Sequence, residues 1–208
     1  MIKNIKWLGH STIKICGNIV IYIDPYNIRE NFNDADIIFI THNHYDHFSY
    51  DDIKKCMNKK TKIVVTKDLF EEAINLGFKE KNIFSILPNK SYELEKISFS
   101  TIPAYNINKD FHHKEKEWVG YIINIDNIRY YIAGDTDLTN ESKKVKCDVA
   151  FLPVGGTFTM NYKEAAMLAN EIKPKIVVPI HYGTLVGKKD DALKFKDNLD
   201  DSSICEII

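Results

Sequence analysis

The sequence predicts an α/β sandwich with its helices outside two sheets. Three observations point there. Short β-branched apolar runs recur along the chain, two stretches are dense in strand signals, and strands elsewhere alternate with segments that carry helix caps. Residues 2–7, 11–16 and 19–23, separated by Gly9 and Gly17-Asn18, read as a small meander that ends at Asp24-Pro25. Ile37-Ile38-Phe39-Ile40 is continuously apolar and suits a strand buried on both faces. Ser49-Tyr50-Asp51-Asp52 resembles a capping box, which predicts a helix to about Met57. Lys62–Thr66 reads as a strand. Asp68 is the expected N-cap of a helix that closes at Gly77. Strands follow near 83–87, 91–94, 97–102, 118–125 and 128–133, the last two joined by an Asp126-Asn127 hairpin turn. Val149–Pro153 and Ile176–Ile180 are apolar strands, with an Asn161-capped helix between them that stops before Pro174. A helix near 189–198 and a strand near 203–208 complete the chain.

Composition bounds the function. The chain has 208 residues, 44% apolar and 27% charged, with no linker, repeat or composition shift, so one domain over residues 1–208 is expected. A formal net charge of −1 argues against a general grip on nucleic acid. Cys16, Cys56, Cys147 and Cys205 are too scattered for a zinc knuckle or a redox pair. No stretch approaches the roughly 20 apolar residues of a membrane span, and the first residues lack the apolar core of a signal peptide. A cytoplasmic enzyme with a small-molecule substrate and no membrane partner is the expectation; oligomeric state is left open.

Chemistry concentrates at strand ends. His42-Asn43-His44-Tyr45-Asp46-His47 puts three of the seven histidines and a carboxylate directly after a buried strand. In an extended chain His42 and His44 point the same way, and a turn beyond them directs Asp46 and His47 to a second position. Imidazole and carboxylate donors suit zinc, iron or manganese. Ala133-Gly134-Asp135-Thr136-Asp137 exposes Asp135 after an apolar strand, where its two oxygens can bridge two cations. His181, in Ile180-His181-Tyr182-Gly183, repeats the strand-end placement. Gly155-Gly156-Thr157-Phe158-Thr159 reads as an ordinary strand-to-helix connection ahead of the reading as an anion cradle.

These residues together resemble the metallo-β-lactamase superfamily. His42, His44, Asp46 and His47 match its HxHxDH motif, Asp135 its later bridging aspartate, His181 its last histidine, and Asp24 the structural aspartate that supports the metal site. The resemblance implies a four-layer αββα sandwich and a two-metal site. His42, His44 and a third donor would hold one ion; Asp46, His47 and His181 would hold the other; Asp135 would bridge them. Two zinc ions are expected, with manganese or iron as alternatives. Ile102-Pro103-Ala104, Gly134–Asp137, Leu152–Gly156 and Ile180-His181-Tyr182 are similar to the branch containing the ascorbate-6-phosphate lactonase. Trp7-Leu8-Gly9-His10 resembles the start of that branch, so His10 is expected to line the pocket.

One departure stands out. The branch commonly has a histidine where this chain has Asn106, and an amide is a poorer ligand than imidazole for zinc-like ions. His112 and His113 are the candidates for the missing nitrogen. His112 is preferred because Phe111 gives its loop an apolar anchor; Asn106 and His113 are assigned to the substrate pocket. The resulting expectation is a metal-dependent hydrolase whose activated water attacks a small lactone, ester, amide or phosphoester, with Asp46 and His47 as its catalytic residues. Two other classes compete: a metal-binding or sensing protein of the same fold that lost catalysis at Asn106, and, behind it, a di-iron redox protein.

Overall fold

The computed structural model describes residues 2–208 and divides into two compact units, Met1–Leu87 and Pro88–Ile208. The first unit holds strands β1 (Ile5–Gly9), β2 (Thr12–Ile15), β3 (Ile21–Ile23), β4 (Ile37–Phe39), β5 (Lys62–Thr66) and β6 (Ile83–Ile86), hydrogen-bonded in that order. β1 to β3 form an antiparallel meander, and β3 to β6 run parallel. Parallel neighbours need crossovers, which helices α1 (Tyr50–Cys56) and α2 (Phe70–Leu76) supply. Both faces of β3 and β4 are buried, as a continuous apolar run requires. Tyr22, Ile38, Ile40, Ile63 and Val65 pack in one core with Ile53 and Cys56 of α1 and Ala73 and Leu76 of α2. Gly77 ends α2 with φ +109, a left-handed cap that a Cβ would strain.

The second unit carries a seven-stranded sheet. Its strands are β7 (Ser91–Leu94), β8 (Ile97–Pro103), β9 (Val119–Ile125), β10 (Ile128–Ile132), β11 (Val149–Pro153), β12 (Ile176–Ile180) and β13 (Ile204–Cys205). β7 to β10 are antiparallel and β10 to β13 parallel. Asp126 and Asn127 both have positive φ, 52° and 63°, which is the two-residue turn whose twist matches its strands. Helix α3 (Tyr162–Ile172) begins in a complete capping box: the Asn161 side chain accepts from Lys163 and Glu164 N–H, and Glu164 accepts from Asn161 N–H. Its buried residues Ala165, Leu168, Ala169 and Ile172 recur at helical spacing. It packs on β11 and on α4 (Asp191–Asp197). Two mixed sheets with helices agree with the α/β expectation. No helix among the described residues is long and apolar enough to cross a membrane.

Five local expectations change. The first strand begins at Ile5 rather than at residue 2, because Ile5 N–H turns back to the Ile2 carbonyl at 3.0 Å. Gly9, expected as a separator, belongs to that strand. Asp68 does not cap α2. It lies in a 3-10 turn, Lys67–Leu69, where it accepts from the Thr66 hydroxyl at 2.6 Å and from Asn43 Nδ2 at 2.9 Å. The strand expected near 203–208 shrinks to Ile204–Cys205. Ser49 does cap α1, but the Asp52 carboxylate accepts from the Ser49 hydroxyl at 2.7 Å and from Asn27 N–H and Ile28 N–H at 2.8 and 2.9 Å.

Asp52 thus ties the loop after β3 to α1. Burial alone would raise its pKa, but hydrogen bonds from Lys55, Ser49, Asn27 and Ile28 outweigh burial and hold it below the ordinary carboxylate value. A lowered folded pKa stabilises above the unfolded value of about 3.9 and is lost as pH falls through the folded one. Asp52→Asn is expected to cost about 1 kcal/mol at pH 7. The gap should narrow as pH drops below about 4, which urea denaturation of both proteins across pH will read.

Candidate metal centre

The donors other than His112 and His113 all follow the carboxyl end of a strand. His10 follows β1, Asp24 follows β3, and His42, His44, Asp46 and His47 follow β4; Asp135 and His181 follow β10 and β12. Side chains there project beyond the sheet into the loops, while the strand anchors their backbone.

In the first unit the arrangement starts from Asp24. Its carboxylate is fully buried. Oδ1 accepts from Thr41 N–H at 2.8 Å, and Oδ2 accepts from the Thr41 hydroxyl at 2.7 Å and from His47 Nδ1 at 2.8 Å. The Thr41 hydroxyl has then spent its one hydrogen, so at 3.0 Å it accepts from His42 Nδ1. Both imidazoles therefore carry the proton on Nδ1 and present the Nε2 lone pair. His42 Nε2 lies 3.1 Å from His44 Nδ1. For metal bonds of 2.0–2.1 Å, the edge of a tetrahedron is about 3.3 Å. Asp46 Oδ2 lies 3.8 Å from His47 Nε2 and accepts from His10 Nε2 at 2.8 Å. The donor atoms of His10, Asp46 and His47 lie within 4.8 Å of one another.

The loop that carries these groups is held on both sides. His47 and Phe48 N–H both bond the His44 carbonyl, at 2.9 and 2.8 Å. Phe48 is buried in the core and Asn43 is tied to Asp68. Tyr45, between two donors, is 66% exposed and meets Tyr26 edge-on. Burial, with the neighbouring Tyr45, Asp46 and Asp52, pushes the Tyr26 hydroxyl above its ordinary range, so it stays protonated at neutral pH. His10 is buried with φ +50, and Trp7 Nε1 donates to its carbonyl at 2.8 Å.

In the second unit Asp135 is the centre. Its Oδ2 lies 3.3 Å from His112 Nε2 and 3.2 Å from His181 Nε2, and all three residues are buried. One carboxylate oxygen thus lies against two imidazole nitrogens. Loops around it are laced together. Thr136 Oγ1 donates to the Tyr105 carbonyl at 3.1 Å, Asp137 accepts from Ile107 N–H at 2.9 Å, and Lys109 Nζ bonds both Asp137 and the Thr159 carbonyl. Within residues 155–159, Gly156 and Thr157 N–H are spent on the Met160 and Gly155 carbonyls. Gly155 makes room for the backbone beside it, since a Cβ there would sit 2.4 Å from the His181 carbonyl oxygen. His181 itself takes φ +57 and His112 φ +52, left-handed conformations that histidine holds only where its surroundings enforce them.

Asn106 is buried; its Nδ2 donates to the Phe158 carbonyl at 2.8 Å and lies 3.3 Å from His112 Nδ1. His113 is exposed and precedes the 3-10 turn Lys114–Lys116. Sequence reasoning missed Thr41, which links Asp24 to His42, and Trp118, whose ring meets His112 edge-on at 5.5 Å. Thr41 had one signal, its place between a buried strand and the first histidine. Trp118 had none. Buried imidazole nitrogens and carboxylate oxygens at these separations fit a divalent ion of the zinc, manganese or iron type.

Comparison with known proteins agrees. A family model described as a beta-lactamase superfamily domain matches residues 4–181. The chain is 33% identical to a UPF0173 metal-dependent hydrolase of Pyrococcus horikoshii over 94% of this chain and 91% of that one. It is similar, at 28% identity and a TM-score of 0.82, to the crystal structure of a putative metal-dependent hydrolase from Parabacteroides distasonis, covering 98% of this chain and 91% of that one. A metallo hydrolase from Ignicoccus hospitalis shares the fold, with a TM-score of 0.80 at 23% identity over 98% of this chain and 94% of that one.

Removing the Asp24 carboxylate strands three buried donors at once. Asp24→Ala is expected to cost on the order of 3 kcal/mol. Urea denaturation of metal-stripped protein will measure that loss separately from any loss of bound ion.

Proposed function

The chain belongs to the beta-lactamase superfamily domain family and is a metal-dependent hydrolase, and from that premise we propose that it hydrolyses a small lactone, ester, amide or phosphoester through a metal-activated water. The observation that carries this reading is the separation of the donor atoms: 3.1 Å between His42 Nε2 and His44 Nδ1, and 3.3 and 3.2 Å from Asp135 Oδ2 to His112 and His181 Nε2. On this reading His42, His44 and His112 would hold one ion and Asp46, His47 and His181 the other, with Asp135 shared between them. The assignment is supported by the donor chemistry of each unit taken separately and by one family model that runs from residue 4 to residue 181.

A bound divalent ion lowers the pKa of water from about 15.7 towards about 7 and so supplies hydroxide near neutrality. The protein's own groups do the rest. Asp24 and Thr41 hold the His47 and His42 rings in the tautomer that presents Nε2. Asp46 is the accessible carboxylate of the set, with 15% of its side chain exposed, and would take a proton from attacking water. His10, bonded to Oδ2 at 2.8 Å, keeps the carboxylate oriented while it does so. The lactonase-like substrate follows the sequence resemblance; a phosphoester is the other arm of the same test.

Metal analysis of protein purified without added metal should find two equivalents of zinc or manganese; iron with visible absorbance would move the reading to redox chemistry. His47→Ala should lower turnover by more than about 100-fold, the upper range for loss of a group that merely supports a ligand. A metal-replete screen of lactones, esters, amides and phosphoesters, run beside that variant, tests the reaction class. Retained turnover in His47→Ala with bound metal would sink the assignment. His112→Ala should lose one equivalent of metal, and His113→Ala should keep both.

A further inference from the structure

We propose that Asn106 is the positioning residue of His112, its amide oxygen reserved as the acceptor for the His112 Nδ1 proton once Nε2 engages a metal ion. The inference rests on the donor assignment above and extends it to Asn106.

The two residues are joined twice. Asn106 N–H donates to the His112 carbonyl at 2.9 Å, which closes the loop between β8 and β9. The Asn106 side chain then reaches the His112 ring, with Nδ2 3.3 Å from Nδ1. Which end of the amide faces where is settled by Phe158: its carbonyl oxygen lies 2.8 Å from Nδ2 and can only accept, so the nitrogen must stand there. The second amide hydrogen is then directed at His112 Nδ1, which accepts. A neutral imidazole that accepts at Nδ1 carries its proton on Nε2, and that nitrogen faces the Asp135 carboxylate at 3.3 Å. In this arrangement the oxygen end of the amide is turned away from the ring. Asn106 Oδ1 is buried and accepts no hydrogen bond.

A buried amide oxygen in that state is costly, and retained ones call for a reason. Metal ligation supplies it. A histidine that gives Nε2 to an ion must carry its proton on Nδ1, and such rings almost always donate that proton to an oxygen. Asn106 offers one after a half-turn of its amide, which gives up the bond to Phe158 and requires the Phe158 carbonyl to move away, since two acceptor oxygens cannot stay 2.8 Å apart. Trp118 against the His112 ring and the left-handed backbone at His112 fix where that nitrogen lies, so the acceptor has to come to it.

Zinc affinity measured by competition with a chromogenic chelator tests this, on the full chain, with the thermal midpoint of metal-free protein as the control for folding. Asn106→Ala should weaken one zinc equivalent by about 10–100-fold. Asn106→Asp cannot donate to Phe158 and should lower the metal-free midpoint as much as Ala does. It can still accept the Nδ1 proton, so its zinc affinity should stay near that of the unsubstituted chain. Asn106→Leu, close to Asn in shape, replaces Ala if Ala does not fold. Unchanged zinc binding in the Ala or Leu variant would overturn the proposal, and so would an Asp variant as weak as Ala, because the amide would then act only through Phe158. His112→Ala separates the two levels: full zinc binding in that variant defeats the donor assignment itself, whatever Asn106 does.

Discussion

The buried carboxylate of Asp24 is the constraint on which the first unit's donor group depends. A carboxylate with no exposure to solvent is stable only if hydrogen-bond donors surround it, and this one has three, all from Thr41 and His47. The requirement runs outward. Satisfying Asp24 uses up the Thr41 hydroxyl hydrogen, which makes that oxygen an acceptor for His42; the same carboxylate fixes the His47 proton on Nδ1. Two imidazole lone pairs are thereby aimed before any ion arrives. Preorganisation of this kind shifts the entropic cost of ordering the site onto folding. The left-handed backbone of Asp24, φ +44, is held by the same bonds and by its N–H to the Phe39 carbonyl.

The second unit solves the same problem with different parts. Asp135 lies against the Nε2 nitrogens of two buried imidazoles, not against Nδ1 as Asp24 does with His47. Instead the loops after β8, β10 and β11 are laced by Thr136, Asp137 and Lys109, and Gly155 leaves room for the His181 backbone. Lys109 is bonded to Asp137 and the Thr159 carbonyl, and so braces the loop that leads to His112. His10, Asp24, His112 and His181 all have positive φ. Such conformations persist where surrounding contacts over-determine them.

Much of this architecture is legible in the order of residues alone. Continuous apolar runs mark β4, β11 and β12, since burial on both faces leaves no room for polar alternation. Asn161 and Glu164 announce α3, and Asp126-Asn127 the β9–β10 turn, because caps and two-residue turns are decided by residues adjacent in sequence. Asp52 and Asp68 depart from their local signals for the complementary reason. Each sits where a helix-cap signal is expected, but Asp52 serves Asn27 and Ile28, and Asp68 serves Asn43, partners about 25 residues away in sequence that no local pattern reveals. Tertiary hydrogen bonds to a carboxylate outweigh the modest gain of a local cap.

The six-residue run His42–His47 by itself marked the candidate metal-ligand loop, because three imidazoles and a carboxylate after a buried strand have few other uses. The sequence also determined the strand ends from which Asp135 and His181 project. It did not decide which nitrogen of each ring is presented, nor how His112, on a loop rather than a strand end, comes to face Asp135. Those follow from hydrogen bonds between residues far apart in the chain: Asp24 with Thr41 and His47, Asn106 with Phe158 and His112. A tautomer is set by what the other ring nitrogen touches, and only the folded chain brings that partner within reach.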